Sequence, residues 1–147
     1  MAGESESLTD MMLAEHARIG EMLEDVNIAT YEEGKNTSEA FNKFKWNLEK
    51  HFIMEEKAIF QMLNNISGME VTDTFKLMGE HGSILSLMRR IEEDMKIKDY
   101  SKIQELMSQL EEHSDFENQT FYPNLDKKLS DDRKKEIVER VSEILRG

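Results

Sequence analysis

Four histidines, His16, His51, His81 and His113, are all that the sequence contains. Two of them are followed four residues later by a glutamate: His51 by Glu55 and His113 by Glu117. Residues four apart on a helix lie one above the other on the same face. Each pair therefore presents an imidazole and a carboxylate to one point. Nitrogen and carboxylate donors without sulfur suit iron, manganese or zinc. The chain has no cysteine, which excludes disulfides, thiolate metal sites, cysteine-bound iron–sulfur clusters and cysteine nucleophiles.

A single His-x-x-x-Glu would carry little weight, because Glu is 22 of the 147 residues and such a spacing arises easily by chance. A lone inward histidine is more often a hydrogen-bonded core residue than a ligand. Here the pattern is doubled. Glu15-His16-x-x-Ile19-x-x-Met22-Leu23 matches Glu80-His81-x-x-Ile84-x-x-Leu87-Met88, and His51-x-x-x-Glu55-Glu56 matches His113-x-x-x-Glu117-Asn118. Two helical hairpins thus supply four imidazoles and two carboxylates, a set suited to two metals bridged by carboxylates. An ionised glutamate in an apolar core is destabilising by several kcal/mol unless paired, and no Lys or Arg falls on these inner stripes at the same level. A metal is the natural counter-charge. Two metals sharing carboxylates in a helical bundle favour iron or manganese over tetrahedral zinc. Glu15, Glu80 and Glu112 each precede a histidine, but adjacent helix residues point about 100° apart, so spacing does not make them direct ligands.

Helices must position these residues. Leu8, Met12, His16, Ile19, Leu23 and Val26 recur at spacings of three and four and define a first helix. A turn over Glu33-Gly34-Lys35-Asn36-Thr37 leads to Ser38 as N-cap of the second, whose inner stripe reads Phe41, Phe44, Leu48, His51, Glu55, Ile59 and Met62. Asn64 to Gly68 turns the chain. The third helix spans about Val71 to Ile97, with Phe75, Met78, His81, Leu85, Met88 and Met95 inward. Asp99 is the expected cap of the fourth, which buries Ile103, Leu106, Leu110, His113, Glu117 and Phe121. Pro123 marks its end or a break. Ser130-Asp131-Asp132 opens a last segment with Ile137, Val141 and Leu145 as its packing face. Trp46, Phe41, Phe44 and Phe52 are expected to pack, and the methionines to fill the core.

Short connections between long helices make antiparallel neighbours. The expected fold is all-α: an up-down-up-down four-helix bundle with a short fifth C-terminal helix. It forms one domain over residues 1–147, with a core over about 8–125 and the last helix over about 131–146. One proline, seven glycines and 38% hydrophobic residues fit that class. No apolar run approaches the roughly 20 residues of a membrane span. The acidic start lacks the features of a signal peptide, so a cytoplasmic location is expected. A net charge of −12 repels a phosphate backbone, and neither nucleic acid nor membrane is an expected partner.

Taken together, Glu15-His16, His51-Phe-Ile-Met-Glu55-Glu56, Glu80-His81 and His113-Ser-Asp-Phe-Glu117 with Phe121-Tyr122-Pro123 resemble the hemerythrin-like, or HHE cation-binding, family over about residues 8 to 125. The resemblance implies two iron ions in an oxo- or hydroxo-bridged di-iron centre, ahead of manganese or zinc. His16 and His51 would hold one iron, His81 and His113 the other, and Glu55 and Glu117 would bridge them. Oxygen-carrying hemerythrins have a fifth histidine, in a His-x-x-x-His pair on the third helix. Here the flanking positions are Leu77 and Leu85, which leaves room for an open metal position. The implied function is binding of a small ligand, oxygen or nitric oxide, for sensing, storage or delivery. The alternative is a di-iron enzyme or repair factor acting on nitric oxide, peroxide or damaged iron centres, although the short cysteine-bearing domain usual in the repair proteins is absent from this sequence.

Overall fold

Helices begin where a side chain can take up their free amides. In the computed structural model, which describes residues 7–32, 36–66 and 71–146, the Ser7 hydroxyl accepts the Asp10 N–H at 3.0 Å and opens α1 (Leu8–Tyr31). Asn36 likewise accepts the Glu39 N–H at 2.9 Å and opens α2 (Thr37–Met54). The cap is therefore Asn36 and not Ser38, which already lies in the first turn. Asn is as strong an N-cap as Ser, and starting earlier lets Thr37 donate to the Ala29 carbonyl at 3.2 Å. Residues 33–35 of the expected turn, and Ser67 and Gly68 of the next, lie outside the described residues.

Past Met54 the rod continues as a π-helical stretch, π1 (Glu55–Phe60), and closes as α3 (Gln61–Asn64). The return helix is α4 (Thr72–Met95). It ends in a tight reversal: Lys98 takes a positive φ of 58°, and the Asp99 N–H reaches the Asp94 carbonyl at 2.9 Å, a C-terminal closure of the kind glycine usually serves. Asp99 is consequently spent in this turn, accepting the Ser101 N–H at 3.0 Å. It does not cap α5 (Ile103–Phe116), whose first residue comes four positions later. A second π stretch, π2 (Glu117–Phe121), joins α5 to α6 (Tyr122–Lys128). Pro123 thus marks an irregularity without ending the helix: it sits in the first turn of α6, where a missing N–H is tolerated. The last helix is α7 (Asp131–Arg146), opened by Ser130, whose hydroxyl accepts the Arg133 N–H.

These elements make an all-α bundle of four rods, α1, α2–π1–α3, α4 and α5–π2–α6, with α7 as a short fifth helix lying on α2 and π1. Among the described residues no helix is long and apolar enough to cross a membrane. The inner stripes of the first and fourth rods hold as expected. On α4 the expected phase is wrong: Phe75 is 66% exposed and Met78 43%, while Thr74, Leu77, Ile84, Leu87 and Ile91 join His81 and Met88 inside. Burying Leu77 and Ile84 keeps a compact stripe centred on His81, and Phe75 falls on its far side. Leu85 and Met95 are half-buried. Past π1 the buried residue is Leu63 and Met62 is half-buried, because a π turn inserts about one extra residue and rotates the following face. Trp46 does not pack in the core: it is 60% exposed, with the Lys50 ammonium 5.1 Å from its ring centroid.

The buried apolar residues form two clusters. One holds Leu8, Met12, Met54, Ile59, Phe60, Leu77, Phe121 and Tyr122, and α7 covers it with Ile137 and Val141. The other holds Ile19, Leu23, Phe41, Phe44, Leu48, Phe52, Ile84 and Leu106. Asp126 ties the first cluster shut. Its carboxylate accepts the Leu8 and Thr9 N–H groups, each at 2.9 Å, and the Thr9 hydroxyl at 2.6 Å. Partial burial opposes its charge, but the Thr9 and Leu8 donors outweigh this and hold the carboxyl below its usual 3.8. Asp126→Ala should lower stability by about 1–2 kcal/mol, read as a lower urea midpoint. A depressed carboxyl stabilises the fold above its unfolded value and loses that effect as pH falls through the folded one. The difference between wild type and variant should therefore shrink below about pH 3.8.

Candidate metal centre

His16 on α1, His51 at the end of α2, His81 on α4 and His113 at the end of α5 come together in the middle of the bundle. Glu55 and Glu117 enter as the first residues of π1 and π2. His51 and His81 are buried with the two glutamates, as is His113, and only the His16 side chain retains slight exposure, at 8%. The donor atoms fall into two groups, His16, His51, Glu55 and Glu117, and Glu55, His81, His113 and Glu117; within each, all donors lie within 4.8 Å of one another. Two donors on one ion, each about 2.1 Å from it, stand at most about 4.2 Å apart, so small side-chain movements suffice to close either group on a cation.

Each glutamate faces one histidine of each group. Glu55 Oε1 lies 3.3 Å from His51 Nε2 and 3.1 Å from His81 Nε2. Glu117 Oε1 lies 2.9 Å from His16 Nε2 and 3.6 Å from His113 Nε2. That is the layout of two carboxylates between two cation positions. Buried polar atoms without a hydrogen-bond partner gather at this point: Nε2 of His16, His51 and His113, and both Glu117 oxygens. Such atoms are rare in folded proteins, and a cation would satisfy them together. The donor set therefore fits a metal.

Residues 7–125 match the family model described as the hemerythrin HHE cation-binding domain. The chain belongs to that family. Comparison with curated proteins and with solved structures gave no match. The family's description is of a domain that binds metal cations, and this chain has a buried His/Glu cluster that could hold them.

The HHE domain also holds each imidazole from behind, through Nδ1. His81 meets Glu56 at 2.8 Å and His113 meets Glu80 at 2.7 Å. His51 has Glu15 Oε1 at 3.5 Å, and His16 donates to Asn118 Oδ1 at 2.7 Å. These partners fix the tautomer and turn every Nε2 inward. They are the functional residues that helix spacing misses. A residue next to a histidine points away from that histidine's own target, yet it reaches the imidazole of a neighbouring helix. The repeat carried the signal, since Glu15 aligns with Glu80 and Glu56 with Asn118. Glu112, by contrast, is exposed. Tyr122, fully buried, donates its hydroxyl to Glu55 Oε2 at 2.5 Å, and nothing in the local sequence announces that contact.

The charged groups of the layer shift one another's protonation. Burial and then the adjoining Glu55 charge hold Glu117 well above the usual carboxyl range. Burial also opposes the Glu55 charge, but His51 first, and then the adjoining Glu117 carboxyl and the His81 imidazole, overcome it and hold Glu55 well below that range. His51 resists burial through the Glu55 and Glu15 carboxylates and is raised to about 9. His16 is lowered to about 4, chiefly by burial and then by the His51 charge. The His51 imidazole beside Glu15 brings that carboxyl down to about 2, against partial burial. Metal binding to imidazole and carboxylate donors competes with protons, so it depends on pH.

Proposed function

We propose that the protein is a non-haem di-iron protein whose centre takes a small neutral ligand, oxygen or nitric oxide, for sensing, storage or delivery. His16 and His51 would hold one iron, His81 and His113 the other, and Glu55 and Glu117 would lie between them. The observation that carries this reading is the sharing of both glutamates by two donor groups of equal make-up. Imidazole and carboxylate donors without thiolate favour iron, with manganese next. When bound, such a pair of ions supplies redox-active Lewis acidity for a small ligand. The chain's own residues orient the donors through Glu15, Glu56, Glu80 and Asn118. They keep water out with Phe52 and Phe60 around His81, and hold a proton on the Tyr122 oxygen against Glu55. Leu77, fully buried one turn before His81, leaves that side without a further imidazole.

Elemental analysis of protein produced without a metal-affinity tag tests the reading. About two irons per chain, with an optical change on adding nitric oxide to the reduced protein, is the expected result. Zinc alone, or no metal after iron is offered without oxygen, would overturn it. Sustained consumption of nitric oxide or peroxide with an added reductant would replace ligand binding by the enzyme reading.

A further inference from the structure

The repeat that pairs His16 with His81 and His51 with His113 also pairs two seams between rods, α1 with α5 and α4 with α2. The α4/α2 seam is filled. Phe52 stacks on His81 with ring centroids 3.8 Å apart, Leu85 packs on the second apolar cluster, and Lys45 reaches across to Glu92 at 3.0 Å. In the α1/α5 seam the matching positions carry smaller or uncharged side chains: Ser114 for Phe52, Gly20 for Leu85 and Met107 for Lys45. A cavity of about 420 Å³ opens there, walled by Leu13, Ala17, Leu23 and Leu110 together with Gly20 and Met107. A Cβ at Gly20 would meet nothing within 4 Å. Close packing therefore does not demand glycine at this mid-helix position, where alanine is more favourable. What the missing side chain leaves is room.

Small-molecule sites are typically clefts of about 300–1,000 Å³, mostly apolar, with a few polar groups that fix orientation. This cavity has that size and lining, and the charge at its border has one sign. Glu111 and Asp115, one turn apart on α5, are both exposed there, and no Lys or Arg lines the cavity. Among the described residues no ion pair reaches either carboxylate. Like charges one turn apart repel, and a cation set between them relieves that repulsion. The net charge of −12 draws cations toward the same place.

We infer that the α1/α5 cavity is a binding site for an amphipathic organic cation. Its apolar body fills the space left by Gly20 and Ser114, and its ammonium head rests between Glu111 and Asp115. His16 and Asn118 close the inner end, so the site adjoins the metal centre. It does not depend on the di-metal reading, because shape and charge at the seam carry it.

Calorimetric titration of the full chain with octyltrimethylammonium, kept below its micelle-forming concentration, tests this. A quaternary nitrogen has no lone pair to offer a metal, so the probe reports on the cavity alone. Saturable binding of one probe per chain is expected. Octanesulfonate, with the same tail and the opposite charge, should bind more weakly by about tenfold or more. Replacing both carboxylates, Glu111→Gln with Asp115→Asn, should weaken the cation by about 3–10-fold. Gly20→Leu, which supplies the bulk found in the matching seam, should abolish binding while leaving the urea midpoint unchanged or higher. Absence of saturable binding, equal binding of the sulfonate, or full binding in Gly20→Leu would overturn the inference.

Discussion

Glu55→Ala is expected to remove both metal ions, taking the protein from about two per chain to nearly none. A terminal ligand belongs to one position, so His113→Ala should cost one ion. Glu55 is different because its Oε1 stands 3.3 Å from His51 and 3.1 Å from His81, one histidine from each donor group. Its loss takes a negative charge from both positions at once and leaves Glu117 as the remaining carboxylate of the layer. Glu55→Gln serves as the companion variant, since it keeps an acceptor for the Tyr122 hydroxyl and the volume of the side chain while removing the charge. Metal content after reconstitution with ferrous iron, on protein shown helical by circular dichroism, is the measurement. One tightly held ion surviving in both variants would mean that Glu55 serves a single position.

The largest effect on stability should come from Phe52→Ala, a loss of about 3–5 kcal/mol from the cavity and the lost contacts. Phe52 is buried, lies flat on His81, and meets His113 edge-on at 5.8 Å. Phe44→Ala is the matching control, because Phe44 is equally buried in the same apolar cluster but is seated against Phe41, 6.1 Å away, and no histidine ring pairs with it. Both variants should lower the urea midpoint by similar amounts, and only Phe52→Ala should also weaken metal affinity, by releasing His81 from its fixed orientation. Equal weakening in the two would show that metal binding follows global stability and not the stacking on His81.

The sequence made the inner layer legible because two periodicities agreed. His16, His51, His81 and His113 each fell on a helical stripe, and the repeat placed the same pattern in both hairpins. The stripe of α4 was harder to phase. Phe75 and Met78 are as apolar as Leu77 and Ile84, and only packing against the neighbouring rods decides which pair is covered. The caps moved for a related reason: Asn36 and Ser38 are both competent, and Thr37 finds its partner, the Ala29 carbonyl, only when α1 is alongside. The partners behind the imidazoles were hidden because they cross between helices, which a single-helix projection does not display. The π stretches left no mark in composition, and both the exchange of Met62 for Leu63 and the contact of Tyr122 with Glu55 lie beyond them.

The division of the core into two clusters has a thermodynamic consequence. In most bundles of this size one continuous apolar interior makes unfolding all-or-none. Here a sheet of imidazoles and carboxylates lies across the interior, and the two halves are coupled through groups whose mutual attraction depends on what neutralises them. Occupancy is therefore expected to govern cooperativity as well as stability. With cations in place the halves are expected to be joined and to open as one unit. Without them, each half is expected to open at its own free energy, with α7 leaving with the half that contains Tyr122. The independence of the two ends in unfolding would then be a readout of the state of the centre.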